Sequence, residues 1–359
     1  MQIKKTEISK IFTIFLFSHL IIWTVVPSLL NNNLPLDTIE HIAWGNGWPL
    51  GWEKHPPLNV WFPELFYQIF GSQDWSFYLL SQIFVVSSFI IIFKFSQDFF
   101  KNQFHSLISV LLLESIFFYN FTTPEFNVNV CQLPFWSLVV YFSWKIYSSK
   151  EIKLSDCFCI GLFGAIGFLS KYLFVYLLAS IFLLFTYLVF IKKDRKFDFK
   201  YFIILEVFIV LLVPHLVWLY GNDFITIFYG LKRTGLEPSL INHFEQPIFF
   251  LIKQLGILLP FFFLIWLLVK KIKFKLNIND KKLLFLLAIN LLPVFLILLT
   301  SAIMGSKIRT MWMTPFYLFF GVLFIYVLKS QINIKRTNSL SIVSLLVIQK
   351  SVSIENGKK

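Results

Sequence analysis

Six ionisable side chains crowd into one short stretch of a chain that is otherwise apolar. Leu34 to Trp61 reads LPLDTIEHIAWGNGWPLGWEKHPPLNVW and carries Asp37, Glu40, His41, Glu53, Lys54 and His55. An aspartate can act as general base toward a hydroxyl, and a lysine or arginine can hold a phosphate and stabilise it as a leaving group. Residues of the same types recur singly between later apolar runs: Glu125, Lys171, Lys232, Arg233, Glu237, Glu245, Lys307 and Arg309. Ionisable groups at a membrane are costly, and where they converge they read as functional. Carboxylates beside isolated cations point to a site that deprotonates one group while it holds a phosphate.

Each of these residues also has a plainer reading. Asp37 and Glu40 fit solvated loop carboxylates or helix caps. The run Glu53-Lys54-His55-Pro56-Pro57 fits a rigid turn, because consecutive prolines fix the backbone in extended geometry. His55, His215 and His243 fit hydrogen-bonded structural histidines, and Lys307 and Arg309 fit surface charges. Lys171 resists such a reading. A single lysine between two long apolar runs must either snorkel to the surface or meet an anion.

The elements that position these groups are membrane spans. Mean hydropathy is +0.73, 57% of the 359 residues are hydrophobic and only 14% are charged, which lies outside the range of soluble globular domains. Apolar runs of about 20 residues, long enough to cross a bilayer, recur along the whole length. The fold class is therefore all-α, a polytopic transmembrane bundle. The net charge of +13 does not indicate a nucleic-acid partner, because the basic residues concentrate in short loops on one side, as the positive-inside rule requires. The three cysteines lie in apolar segments, which excludes a disulfide framework or a zinc site with its usual spacing.

Residues 11–30, preceded by Lys4, Lys5 and Lys10, read as a retained signal anchor with a cytoplasmic N-terminus. Leu58 to Phe70 reads as an interfacial helix propping the first outer loop, 31–74. Further spans are expected near 75–95, 104–120, 128–147, from Asp156 through the small-residue face of Gly161, Gly164 and Gly167, and near 201–220. A long outer loop is expected over 221–247. Basic clusters at Lys192–Lys200 and Lys270–Lys275 mark the inner side. The total is about ten spans with both termini cytoplasmic. Residues 1–336 form one transmembrane domain and 337–359 a short tail.

In that setting the loop becomes recognisable. Asp37 with Glu40 is followed by Trp52-Glu-Lys-His-Pro-Pro-Leu58, then Thr123-Pro-Glu-Phe-Asn127, Leu169-Ser-Lys-Tyr172 and a Lys307-x-Arg309 segment with Trp312 and Pro315. This order resembles the GT-C superfamily of membrane glycosyltransferases, in the branch of the protein O-mannosyltransferases and lipid A aminoarabinose transferases. The resemblance covers roughly residues 10–330. It implies a polyprenyl-phosphate-linked sugar donor and a lipid, glycan or protein acceptor, used at the outer face of the cytoplasmic (inner) membrane with inversion at the anomeric carbon. It implies Asp37 as the catalytic carboxylate with Glu40 beside it. Lys54, His55, Lys171, Lys307, Arg309 and Glu125 are implied as substrate contacts, and Glu53 with His243 as ligands of a divalent metal ion. One departure is visible, since many relatives place a glutamate directly after the aspartate and this chain has Thr38. Two other readings stand beside this one, a lipid-linked-sugar flippase and a non-catalytic, truncated relative. A flippase would be expected to carry polar residues mid-membrane on broken helices, often in two related halves.

Overall fold

The computed structural model describes residues 5–235, 239–269, 277 and 279–332. The basic run at 270–275, Glu237 and the tail after 336 lie outside these residues.

The chain opens with α1 (Lys5–Leu30), followed by two short helices, α2 (Leu36–Gly45) and α3 (Leu58–Phe70). Next come α4 (Asp74–Gln97), α5 (Gln103–Leu111), the single turn α6 (Val128–Cys131), α7 (Leu133–Ser148), α8 (Leu154–Ser170) and α9 (Val175–Thr186). The chain continues through α10 (Tyr201–Gly221), α11 (Ile225–Thr234), α12 (Asn242–Leu268), α13 (Lys281–Met304) and α14 (Phe320–Leu328). Among the described residues the architecture is helical throughout, apart from one isolated antiparallel bridge between Val269 and Ile332.

Burial orders the bundle. In the apolar stretch of α4, 72% of residues are buried, against 17% in α10, so α4 is the central post and α10 presents most of its surface to lipid. Phe95 anchors the core, with its ring 4.9 Å from Phe319 and 6.2 Å from Trp144, while Phe99 lies 4.4 Å from Trp144. Aromatic pairs at such distances add to the area they bury. The glycine face of α8 packs against α10, as expected. A Cβ on Gly161 would stand 2.7 Å from the Ile204 carbonyl oxygen, so only glycine allows this approach.

Among the described residues six helices are long and apolar enough to cross a membrane, or seven if the pair Thr310–Tyr317 and Phe320–Leu328, bent by 54°, counts as one span. The sequence suggested about ten. Three of the expected spans form as shorter or broken helices for local reasons. Pro134 lacks an amide hydrogen and sits at a helix start, so residues 128–147 divide into α6 and α7. Residues 104–120 leave the α-helix at Leu112 for 3₁₀ turns. There Glu114 meets His19 of α1 (Nδ1–Oε1 2.5 Å), which binds the first span to the bundle interior. α8 is 17 residues long, at the short end of the spanning range. Glu206 is exposed in the second turn of α10.

Two loop expectations also change. The polar stretch after α1 is not irregular: Leu36 to Gly45 is the helix α2, packed against α3. The long loop at 221–247 contains α11 and the first turn of α12. The helix expected over Leu58 to Phe70 is present with those bounds.

Candidate active site

The organising element is α2. Asp37 and Glu40 are three residues apart, so they share one face of the helix and line the same cavity of about 360 Å³. The exposed N-terminus of α2 is held from outside, because Glu125 Oε1 accepts from the Asp37 amide at 3.2 Å while its Oε2 accepts from Asn127 Nδ2 at 3.2 Å. Glu125 therefore fixes the start of the helix and is not part of the cavity wall. Thr38 is 1% exposed, with Oγ1 3.4 Å from the Phe126 carbonyl oxygen. A glutamate at this position would bury a charge against a carbonyl, which accounts locally for the threonine.

The loop from Asn46 to Pro57 is pinned at three points. The Trp61 indole donates to the Pro49 carbonyl at 2.7 Å, and Thr226 of α11 donates to the Trp52 carbonyl at 2.9 Å. His215 of α10 binds the Leu50 carbonyl through Nδ1 at 2.7 Å and Tyr172 through Nε2 at 2.7 Å. A carbonyl can only accept, so Nδ1 carries the hydrogen. In the neutral ring Nε2 then accepts, and Tyr172 Oη is the donor. Tyr172 and Thr226 both line the cavity, so the loop that carries Lys54 is tied to its wall. Gly51 permits this closure. A Cβ there would lie 2.4 Å from the Trp218 ring. Gly51→Ala is expected to cost about 1–3 kcal/mol of stability through overpacking, read as a lower thermal midpoint together with reduced ligand binding. An unchanged midpoint would show that the loop has room to spare.

Four cations reach the cavity, which is lined by Lys54, Lys171, Arg233 and Arg309. Lys54 forms an ion pair with Glu40, and this bond holds its pKa above the ordinary lysine value. Lys171 is 3% exposed, donates to Asn129 Oδ1 at 2.6 Å and lies 5.1 Å from the centre of the Trp312 ring. Arg233, in the last turn of α11, donates to Tyr229 Oη at 2.5 Å. Burial raises the pKa of Asp37, and the neighbouring Glu40 raises it further, while Arg233, Lys54 and Lys171 pull it back. Glu125 is raised by burial and by Asp37. The two histidines of the wall are kept neutral by burial. His41 is pushed down to about 3, and His55 is held well below its usual value, with Lys171 adding to the effect. His55 thus contributes a neutral ring to the wall rather than a cation.

Of the residues singled out from the sequence, Asp37, Glu40, Lys54, His55, Lys171 and Arg309 converge on this cavity. Lys307 does not: it is exposed, and its backbone amide binds the Thr234 carbonyl. Glu53 is exposed outside the cavity wall, and His243 binds the Ala302 carbonyl through Nδ1 at 2.8 Å. No three His, Cys, Asp or Glu side chains gather in a metal-holding group among the described residues. The divalent ion implied by the resemblance has no such group to hold it among the described residues. Asn129, Tyr172, Tyr229 and Arg233 line the cavity without having been assigned to it from the sequence. Arg233 stood among the outer charges, but its place on a helix was hidden inside an expected loop.

The helical bundle that carries this cavity has counterparts among solved structures. The chain aligns with ArnT from Cupriavidus metallidurans bound to undecaprenyl phosphate (TM-score 0.68, 14% identity, 96% of this chain and 64% of that one). The apo state of the same protein gives a TM-score of 0.64 at 14% identity, covering 94% and 63%. The chain thus has the fold of these proteins and spans less than two thirds of their length. Residues 54–218 match the family model described as dolichyl-phosphate-mannose-protein mannosyltransferase. In fold the chain is similar to ArnT, and its 54–218 segment is similar to the mannosyltransferase family, in line with the resemblance. No curated protein matches it by sequence.

Proposed function

We propose that this protein is a membrane glycosyltransferase that moves a sugar from a polyprenyl-phosphate-linked donor to a hydroxyl of a lipid, glycan or protein acceptor. The observation that carries the reading is the meeting of Asp37 with Lys54, Lys171 and Arg233 in one cavity, on a fold also seen in a protein solved with undecaprenyl phosphate. The apolar spans support a multi-pass membrane protein, here taken to lie in the cytoplasmic membrane. The positive-inside rule supports an orientation with the basic loops in the cytoplasm and the cavity at the opposite face.

In the reaction Asp37 takes the proton of the acceptor hydroxyl as its oxygen attacks the anomeric carbon. The bond from that carbon to the phosphate oxygen breaks, its electron pair leaves with the polyprenyl phosphate, and the proton remains on Asp37. A single displacement inverts the anomeric centre and needs one base, in contrast to the two-carboxylate retaining scheme. Lys171, Arg233 and Lys54 stabilise the negative charge that grows on the phosphate. Glu40 keeps Lys54 at the mouth of the cavity and raises the basicity of Asp37.

Lys54→Ala tests the phosphate assignment. A hydrogen bond to a charged group contributes about 1.5–3 kcal/mol. Affinity for a polyprenyl phosphate, measured on the purified protein in lipid nanodiscs, is therefore expected to fall by roughly 10- to 100-fold. Affinity equal to that of the wild type removes Lys54 from the phosphate site.

A further inference from the structure

A second cavity of about 920 Å³ lies at the opposite end of the bundle, between the end of α7, the 192–200 segment and the start of α13. Its size falls in the range of ligand sites. Trp144, Tyr147 and Leu188 are buried side chains in its wall, and six cations surround it: Lys150, Arg195, Lys196, Lys200, Lys281 and Lys282. Three carboxylates stand against them, Glu151, Asp194 and Asp198, so positive charge is in excess. Asp194 is already shared by Lys192 at 3.0 Å and Lys281 at 3.8 Å. Arg195 spends Nη2 on the Tyr147 and Ser149 carbonyls at 2.6 and 2.5 Å, and Lys200 binds the Ile152 carbonyl at 3.0 Å. Carbonyl partners fix these side chains without neutralising them, which leaves a built, cationic cavity with room for an anion.

The edge of the cavity indicates which anion. Phe197 and Phe199 line it, and Phe199 is 79% exposed. Phe202 beside them is 54% exposed, with its ring 5.9 Å from Phe197. Bare aromatic rings next to cations at the end of a membrane bundle belong at the boundary between headgroups and acyl chains. Basic pockets between transmembrane helices on the cytoplasmic side take anionic headgroups. We propose that this cavity binds the phosphate of an anionic phospholipid of the cytoplasmic leaflet, a site separate from the catalytic cavity. Its failure would leave the reaction above untouched, since the two cavities share no residue.

The test is native mass spectrometry of the full chain in detergent, titrated with phosphatidylglycerol or phosphatidylcholine, with and without millimolar inorganic phosphate. The wild type is expected to retain phosphatidylglycerol about tenfold better than phosphatidylcholine, in the presence of phosphate as well. The double variant Lys150→Glu/Lys196→Glu, at two exposed positions, should lose this preference. The variant Lys10→Glu/Lys101→Glu, with the same change of charge at exposed positions outside the cavity, should keep it. Equal loss in both variants would mean a diffuse basic face and would overturn the site. No preference between the two lipids would also overturn it, and displacement of the lipid by inorganic phosphate would reassign the cavity to a soluble anion.

Discussion

Lys171→Met is expected to lower kcat/KM by about 10²- to 10³-fold, the usual loss when one preorganised stabiliser of developing charge is removed. Methionine is unbranched and one atom shorter than lysine, so it fills the stem's place without the charged head and the variant should fold. It removes a group that is 3% exposed, 2.6 Å from Asn129 Oδ1 and without a carboxylate ion pair among the described residues. Burial holds the Lys171 pKa well below the ordinary lysine value, Asp37 pulls it back up and Arg233 pushes it down again. An arriving phosphate supplies the missing counter-charge and raises that pKa, so binding takes up a proton between the two values. Affinity therefore falls as pH rises through this window and grows as pH falls. The free protein shows the opposite slope. Its folded state holds fewer protons than the unfolded chain in the same window, so this lysine's cost to stability shrinks as pH rises. Calorimetry of polyprenyl phosphate binding in two buffers of different ionisation heat would detect the uptake. In Lys171→Met it should vanish. Turnover within threefold of wild type would remove Lys171 from the transition state.

Asp37→Asn carries the other large effect. Loss of a general base is expected to slow the reaction by about 10²- to 10⁴-fold. Cells carrying this variant at equal expression should lack one discrete sugar from their envelope lipids or glycans by mass spectrometry. The pH profile gives an independent check. The active form is the carboxylate, and burial with Glu40 raises its pKa, so the rate should climb with pH through a value above the ordinary aspartate range. Glu40→Gln removes one of the two raising influences and should move that limb to lower pH. Unchanged envelope profiles in Asp37→Asn would mean that another group takes the proton.

Much of this was legible in the sequence because hydropathy and isolated charge are strong signals. A lysine between two apolar runs announced Lys171, and a dense polar stretch after the first span announced Asp37, Glu40 and Lys54. What the sequence concealed was direction. Glu53 and Lys54 are neighbours, yet one faces outward and the other joins Glu40, a choice made by the pinning of Leu50 and Trp52 to distant helices. Lys307 and Arg309 differ in the same way, and only Arg309 lines the cavity. Arg233 was hidden because α11 lies inside what read as a long loop. The helical spacing of Asp37 and Glu40 was the signal that could have revealed α2. Spans were misjudged where one residue outweighed the apolar average, Pro134 by its missing amide hydrogen and Glu114 by its partner on the first helix.

The stacking of Lys171 near Trp312 also has a consequence for how the protein is made. Chains emerge N-terminus first, and the cavity wall draws on α2, the turn after α8, α11 and the segment that follows α13. A ribosome that has delivered α2, the loop and the buried lysine has still not delivered their last wall. Competence is thus acquired only once the segment after α13 has been made, and a half-inserted chain has no closed cavity in which to use up donor lipid. Nonsense alleles before codon 312 should therefore be equivalent nulls, wherever in the chain they fall.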